Sequence, residues 1–379
     1  MYDGLEVDML SLGDADCIVV TQYPVWHSAI GPQRVLIDGG KEGDAPLILD
    51  FLRSRNMTNF WAAICTHSHN DHARGLVKIL EHPSITVRNG WMHDIRRHIS
   101  IDDLRRASSG NSEEADAVKQ VWNNTRDLAR AFALNNVQPT EPFAGANIAY
   151  WPSMNVLGPS ISFYRELVQD LVQGATGTFE RLAAASAFSE LFRGSAGGSS
   201  AVRLSSLMST TSPSHGNFAP FISGVLRDSS VAENPTTQPF NNTSTILGVS
   251  YRGERLLFTG DAGSEALDNV PADWCGLTWL QLPHHGSDGN LSQHNIERFC
   301  PKTAFVSARG DTSHPSMAIV NGLLKLNAQV FSTHKNPNHL LFFLGNVPQR
   351  ADYGPAVALK GSVEKTIDLR LLGLISNLR

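Results

Sequence analysis

With 379 residues, 41% of them hydrophobic and 18% charged, and with 31 glycines and 19 prolines, the chain can bury a large core and is excluded from the disordered, collagenous and coiled-coil classes. Its 31 Lys and Arg against 36 Asp and Glu leave a net charge of -5, so any nucleic acid has to be met by a local basic patch rather than by broad attraction. Cys17, Cys65, Cys275 and Cys300 are too few and too scattered for a disulfide framework, no apolar run reaches the length of a membrane span, and MYDGLEVDML has acids where a signal peptide carries positive charge. The expectation is a cytoplasmic chain with reduced thiols and no membrane contact.

In chain order, the alternation of LEVDMLSL and CIVV around GDAD predicts two strands joined by a tight acidic turn, and RVLID a third that ends at Asp38-Gly39-Gly40. APLILDFLRSR has the apolar spacing of an amphipathic helix, and WAAICT returns as a short buried strand. That strand empties into His67-Ser68-His69-Asn70-Asp71-His72, and ARGLVKILEH after it is apolar on one helical face. A helix over about 111–136 follows, then strand and turn in IAYWPSMNVLGP. Residues 160–239 change character, with a helical pattern from Ser162 to Phe192 and then a charge-poor, Gly/Ser-rich stretch.

STILGVSY and RLLFTG form a hairpin that ends at Asp261. TWLQLP runs into His284-His285-Gly286-Ser287, TAFVSA into RGDTSHPS, and AQVFST into His334, so strand ends repeatedly deliver polar residues to one edge. The expected organisation is one domain over 1–345 carrying the insertion 160–239 as a helical cap, and an extension over 346–379 that either adds a strand or packs outside the core.

The fourteen histidines matter because neutral imidazole is the commonest metal ligand. His67 and His69, one residue apart on an extended loop, can grip one cation, while Asp71 and His72 on the turn into a helix point to a neighbouring position. Imidazole and carboxylate suit zinc, manganese or iron rather than calcium.

THSHNDH, at Thr66 to His72, resembles the HxHxDH mark of the metallo-beta-lactamase superfamily. The chain is similar to the narrower ComEC/Rec2 competence-protein branch in LGDADCIVV, in the DGG turn at Asp38, in VLGP from Val156, NNTS from Asn241, TGD ending at Asp261, HHGS from His284 and HPS from His314. The resemblance implies an αββα sandwich, two mixed sheets with helices outside. It implies His67 and His69 on one metal, Asp71 and His72 on the other, and Asp261 bridging. The remaining ligands would be His314 and one of His284 and His285, between which the resemblance does not choose; His285 is carried forward as the ligand. Asp38 would fix a ligand or the bridging water. GDAD stands where the branch has GQGD, which bears on the turn supporting the site, and the insertion, far longer than usual for the branch, overhangs the metal face and bears on the substrate; the membrane segments of a competence channel are missing, which implies a free-standing hydrolase module.

Two cations sharing a hydroxide lower its pKa from near 15.7 to about 7 and neutralise a phosphoryl or carbonyl transition state. Phosphate is favoured because the strand-end loops add donors that suit an anion: Ser287, Arg309 and Lys335. The expected function is therefore a phosphodiesterase or nuclease acting on DNA or RNA, with two divalent cations, zinc first and manganese second, and with Asp38, Asp71, Asp261, His284 and His285 at its catalytic centre. The alternatives are a hydrolase of a small ester (lactone, beta-lactam, cyclic nucleotide or phosphocholine ester) and a non-catalytic regulator that keeps the metal. Arg96, Arg97, His98, Arg105 and Arg106, the densest basic stretch, read equally as a phosphate track or, with Asp94, Asp102 and Asp103, as a solvated helix face.

Overall fold

Strand alternation sets the layers of the molecule, a computed structural model that describes residues 2–23, 31–100, 113–148, 154–176, 229–311, 313–351 and 353–361, with 102, 103, 105, 107 and 226. In β1 (Asp3–Met9), Leu5, Val7 and Met9 enter one apolar cluster while Glu6 and Asp8 face the other way. β2 (Ile18–Gln22) and β3 (Gln33–Ile37) repeat this, sending Ile18, Val20, Val35 and Ile37 into the same cluster and Val19 and Leu36 into an outer one. That outer cluster is covered by α1 (Ala45–Ser54), whose Ile48, Phe51 and Leu52 recur at helical spacing. β4 (Asn59–Ile64), α2 (Asn70–Glu81), β5 (Thr86–Trp91) and α3 (Glu113–Leu134) complete this half, with Ala73, Leu76, Leu80, Leu128 and Phe132 on the same outer face.

The second half begins with β6 (Met154–Gly158) and α4 (Ile161–Thr176) and continues through the hairpin β7 (Ile246–Tyr251) and β8 (Glu254–Phe258). It then alternates as α5 (Ser264–Asp268), β9 (Trp279–Gln281), α6 (Gln293–Phe299), β10 (Thr303–Val306), α7 (Met317–Lys325) and β11 (Gln329–Ser332), and closes with β12 (Leu340–Asn346). One sheet has the order β12-β1-β2-β3-β4-β5 and the other β11-β10-β9-β8-β7-β6. Each mixes antiparallel pairs with a parallel run, β3-β4-β5 in the first and β8 to β11 in the second. Trp279, Phe258 and Phe305 meet Val7, Val20 and Ile37 between the sheets, and α5 to α7 cover the far face through Leu267, Ile296, Phe299, Ile319 and Leu323. The result is the expected αββα sandwich. The parallel strands all end at one edge, the usual place for a site in such sheets.

β12 precedes the expected extension, of which residues 347–351 and 353–361 are described. It pairs antiparallel with β1 from Asp3↔Asn346 to Met9↔Leu340, and the chain after it crosses the outer face of that sheet. There Arg350 grips Glu6 (2.7 Å) and the Tyr353 hydroxyl donates to Asp8 (2.7 Å). In the insertion, α4 packs Tyr164 and Val168 on Val118, Val121 and Phe240; the rest of its expected helix and the Gly/Ser stretch lie outside the described residues. Among the described residues no helix is long and apolar enough to cross a membrane.

The covered acid Asp8 makes stability depend on pH. Burial, with Glu6 beside it, pushes its carboxyl up to about 7. An unfolded aspartate titrates near 3.9, so between about 4 and 7 the folded chain holds a proton that the unfolded chain has lost, and this stabilisation is present at low pH and lost as pH rises through 7. Urea midpoints of the wild type should fall between pH 5 and pH 8 by an amount worth a few kcal/mol, and Asp8→Asn should flatten that decline. An equal decline in both chains would show that Asp8 is not its source.

Candidate metal centre

His67 and His69 lie on the loop after β4, and Asp71 and His72 stand in the first turn of α2, so one local segment spans a strand end and a helix start. The helix is held there by backbone contact: the Gly39 N–H donates to the His72 carbonyl (2.9 Å) and the Gly75 N–H to the Gly40 carbonyl (2.9 Å). Asp38, at a positive φ of 58° after β3, places its carboxylate against both the loop and the helix. It accepts from the Thr66 N–H (2.7 Å), the Thr66 hydroxyl (2.7 Å) and His72 Nδ1 (2.8 Å). The other sheet contributes Asp261 after β8 and His284 and His285 after β9, both histidines at positive φ.

The geometry converges on Asp261. Its Oδ1 lies 3.2 Å from His72 Nε2, and its Oδ2 lies 3.6 Å from His67 Nε2 and 4.0 Å from His284 Nε2. His69 Nδ1 is 3.0 Å from His67 Nε2, and His285 Nε2 is 3.5 Å from an Asp71 oxygen. Three groups share His72, each with ligand atoms within 4.8 Å of one another: His67, His72 and Asp261; Asp71, His72 and His285; and, on the Nδ1 side, Asp16, Asp38 and His72. The first two are the ligand groups that face the centre.

The nitrogens facing outward from this cluster are held by acceptors, which fixes the tautomers. His72 Nδ1 donates to the Asp38 carboxylate, and His285 Nδ1 donates to the Ser307 carbonyl (3.0 Å). Asn290 gives its amide N–H to the Asp261 carbonyl (2.8 Å), so its oxygen is the atom that receives His284 Nδ1 (3.0 Å). The Thr66 hydroxyl proton goes to Asp38, which leaves that oxygen to accept from His67 Nδ1 (3.3 Å). In His67, His72, His284 and His285, Nε2 is therefore the nitrogen turned inward. His72 Nε2, Asp261 Oδ1 and His285 Nε2 are buried with no hydrogen-bond partner, a costly arrangement that bound cations would relieve.

Electrostatics point the same way. Burial, helped by neighbouring His72, holds His67 neutral by pushing it well below the usual histidine value. Burial also opposes charge on Asp71 and Asp261, yet the imidazoles around them hold both carboxyls below the ordinary aspartate value. Against its own burial, His285 is drawn up to about 9 by Asp71, Asp261 and Asp16. The acids pull positive charge into the space between the ligand atoms, and the donor set of imidazoles and carboxylates fits divalent metal binding.

Other expected residues lie around this centre. The ring of His314 is 5.8 Å from that of His284 and 6.1 Å from that of His285, outside both ligand groups. The Ser287 hydroxyl caps the Gly289 N–H, and Arg309, with 65% of its side chain exposed, approaches Asp14 at 3.7 Å. Lys335 and His334 line a separate cavity of about 540 Å³ with Pro315 and Met317.

Among the described residues, the cations of the basic stretch have acidic partners. Arg96 is bidentate on Asp94, Arg97 approaches Asp94 and Glu141, and His98 binds Glu141 at 2.8 Å, while Arg106 lies outside the described residues. Trp91 is buried in the core between the sheets.

Three residues at the centre are not apparent from the sequence. Asp16 is buried, takes Gln281 Nε2 (2.8 Å) and the Ser307 hydroxyl, and stands 4.0 Å from His72, so it ties the acidic turn of the first sheet to the strand ends of the second. Asn290 orients His284, and Phe240 sets its ring 5.0 Å from that of His69 as an apolar wall. The acid of the GDAD turn was the available signal for Asp16. Asn290 and Phe240 have no local pattern.

No family model matches the chain. A stretch of 113 residues, 27% of the chain, is 29% identical to ComE operon protein 3 of Bacillus subtilis (strain 168) and spans 14% of that protein's length. Among solved structures, a diphosphatase from the PhnP family is similar over 91% of this chain and 99% of its own, at 12% identity and a TM-score of 0.37.

Proposed function

We propose that the chain is a metal-dependent phosphodiesterase of the metallo-beta-lactamase type, acting on DNA or RNA. The observation that carries this is the convergence of inward-turned Nε2 atoms on Asp261, with His72 Nε2, His285 Nε2 and Asp261 Oδ1 buried and unpartnered. His67, His69, Asp71, His72, Asp261 and His285 would hold two divalent cations, zinc first and manganese second, which when bound supply Lewis acidity and a water acidic enough to attack at neutral pH. Asp38, Thr66, Ser307 and Asn290 keep the imidazoles in the ligating tautomer before any substrate arrives. His284, with 32% of its side chain exposed, and His314 beside it would steady the leaving oxygen, and Arg309 and Ser287 would supply donors for a phosphate at the rim. The motif series shared with the nuclease-like competence branch, and the local match to ComE operon protein 3, support a phosphodiester over a carbonyl ester.

The test is a substrate panel on the metal-stripped chain refilled with zinc or manganese: bis(p-nitrophenyl) phosphate, labelled single- and double-stranded DNA and RNA, a lactone and a beta-lactam. Metal-dependent cleavage of the phosphodiesters is expected. Turnover of the carbonyl esters alone would overturn the proposal.

A further inference from the structure

We propose that the cleft between the Lys41 turn, the start of α2 and the face of α3 is a subsite for the phosphate next to the scissile one, with Lys41 as the residue that holds it. This rests on the phosphodiesterase reading. The cleft has a volume of about 620 Å³ and is lined by Lys41, His69, Asn70, Asp71, Gln120 and Gln238. Because His69 and Asp71 belong to the metal centre, a substrate held there passes directly into this space. Its size fits a nucleotide rather than a lone ion.

The charges of the cleft leave one cation over. Arg74 reaches it but is held between Glu42 (2.8 Å) and Asp127 (3.0 Å), and Glu42 takes Lys78 as well. Asp71 turns its carboxylate to His285. Lys41 is half-buried and, among the described residues, forms no ion pair. Its backbone is fixed, with its N–H on the Asp44 carboxylate (2.8 Å) and its carbonyl receiving the Asp44 N–H (3.0 Å), in a turn packed against α2. Asn70 is oriented by Asn124, which donates to its Oδ1 (2.9 Å), so the Asn70 amide group is left to donate. An uncompensated ammonium carried on a fixed backbone, with amide donors around it, suits a phosphate oxygen.

The experiment uses the metal-loaded full chain as wild type, Lys41→Ala, Lys41→Arg and Lys78→Ala, the last a cation on the exposed side of α2. Two quantities are read. The first is the ratio of kcat/KM for a short oligothymidylate to that for bis(p-nitrophenyl) phosphate, which has no second phosphate. The second is the salt dependence of binding of a labelled phosphorothioate oligothymidylate by fluorescence anisotropy. Lys41→Ala should lower the ratio roughly tenfold, mainly through KM, and reduce the slope of log K against log[salt] by about 0.7. Lys41→Arg should restore most of both, and Lys78→Ala should match the wild type. An unchanged ratio and slope in Lys41→Ala would overturn the subsite while bis(p-nitrophenyl) phosphate turnover still upheld the enzyme. Should no chain turn over either substrate, the phosphodiesterase reading fails and the anisotropy slope alone decides for or against Lys41.

Discussion

Asp261→Asn is expected to weaken divalent-metal binding by more than about a hundredfold and to remove phosphodiester turnover while the chain stays folded. The carboxylate faces His67, His72 and His284 together, and through His72 it stands next to the group of Asp71 and His285. Its position does not depend on the side chain's charge, because the Asp261 N–H donates to Ser244 Oγ (3.2 Å) and its carbonyl accepts from Asn290. The amide keeps the shape and removes the negative charge that offsets two cations in a buried space. Metal-free stability should fall, since the buried imidazoles of His72 and His285 lose the carboxylate that pairs with them. Calorimetric metal titration and bis(p-nitrophenyl) phosphate turnover check the first part, and a urea midpoint the second. Full metal affinity and full turnover in the variant would remove Asp261 from the centre.

Gly75→Ala is expected to damage the fold and the site together. A Cβ at Gly75 would come within 1.9 Å of the Gly39 carbonyl oxygen and 2.7 Å of that of Lys41, and one at Gly39 within 2.2 Å of the Leu76 nitrogen. Helix and turn thus meet backbone to backbone, and neither can yield without breaking the hydrogen bonds that join them. The added methyl should cost about 3 kcal/mol or more, at or beyond the upper end for overpacking. As the helix moves off the turn it carries Asp71 and His72 away from Asp38 and Asp261, so metal affinity should fall with stability. Gly354→Ala, where an added Cβ meets nothing within 4 Å, is the matched control and should change the urea midpoint little. Equal midpoints for the two variants would contradict the close packing.

What was legible in the sequence follows from the range of the interactions. His67, His69, Asp71 and His72 are read from one short run because a strand end and a helix start place them locally. Asp261, His284 and His285 were legible because each follows a strand with clear alternation or apolar run. Asp16 was not, since its partners Gln281 and Ser307 lie more than 260 positions away. β12 reads as an ambiguous apolar stretch until β1 is beside it. The Arg96 and Arg97 cluster looked basic because Glu141, which helps neutralise it, comes from a distant loop. Lys41, a lone lysine after a glycine turn, carries no pattern; only the cleft and the pairing of its neighbours single it out.

The most direct measurement is metal stoichiometry: the full chain, stripped of metal, titrated with zinc and separately with manganese, with bound metal counted by elemental analysis and thermal stability followed in parallel. Two cations per chain are expected, with a rise in Tm on loading because the folded chain binds what the unfolded chain does not, and with both effects reduced in His67→Ala. A chain that binds no metal, or takes it up without any change in Tm and indifferently to His67, would contradict the centre described around Asp261.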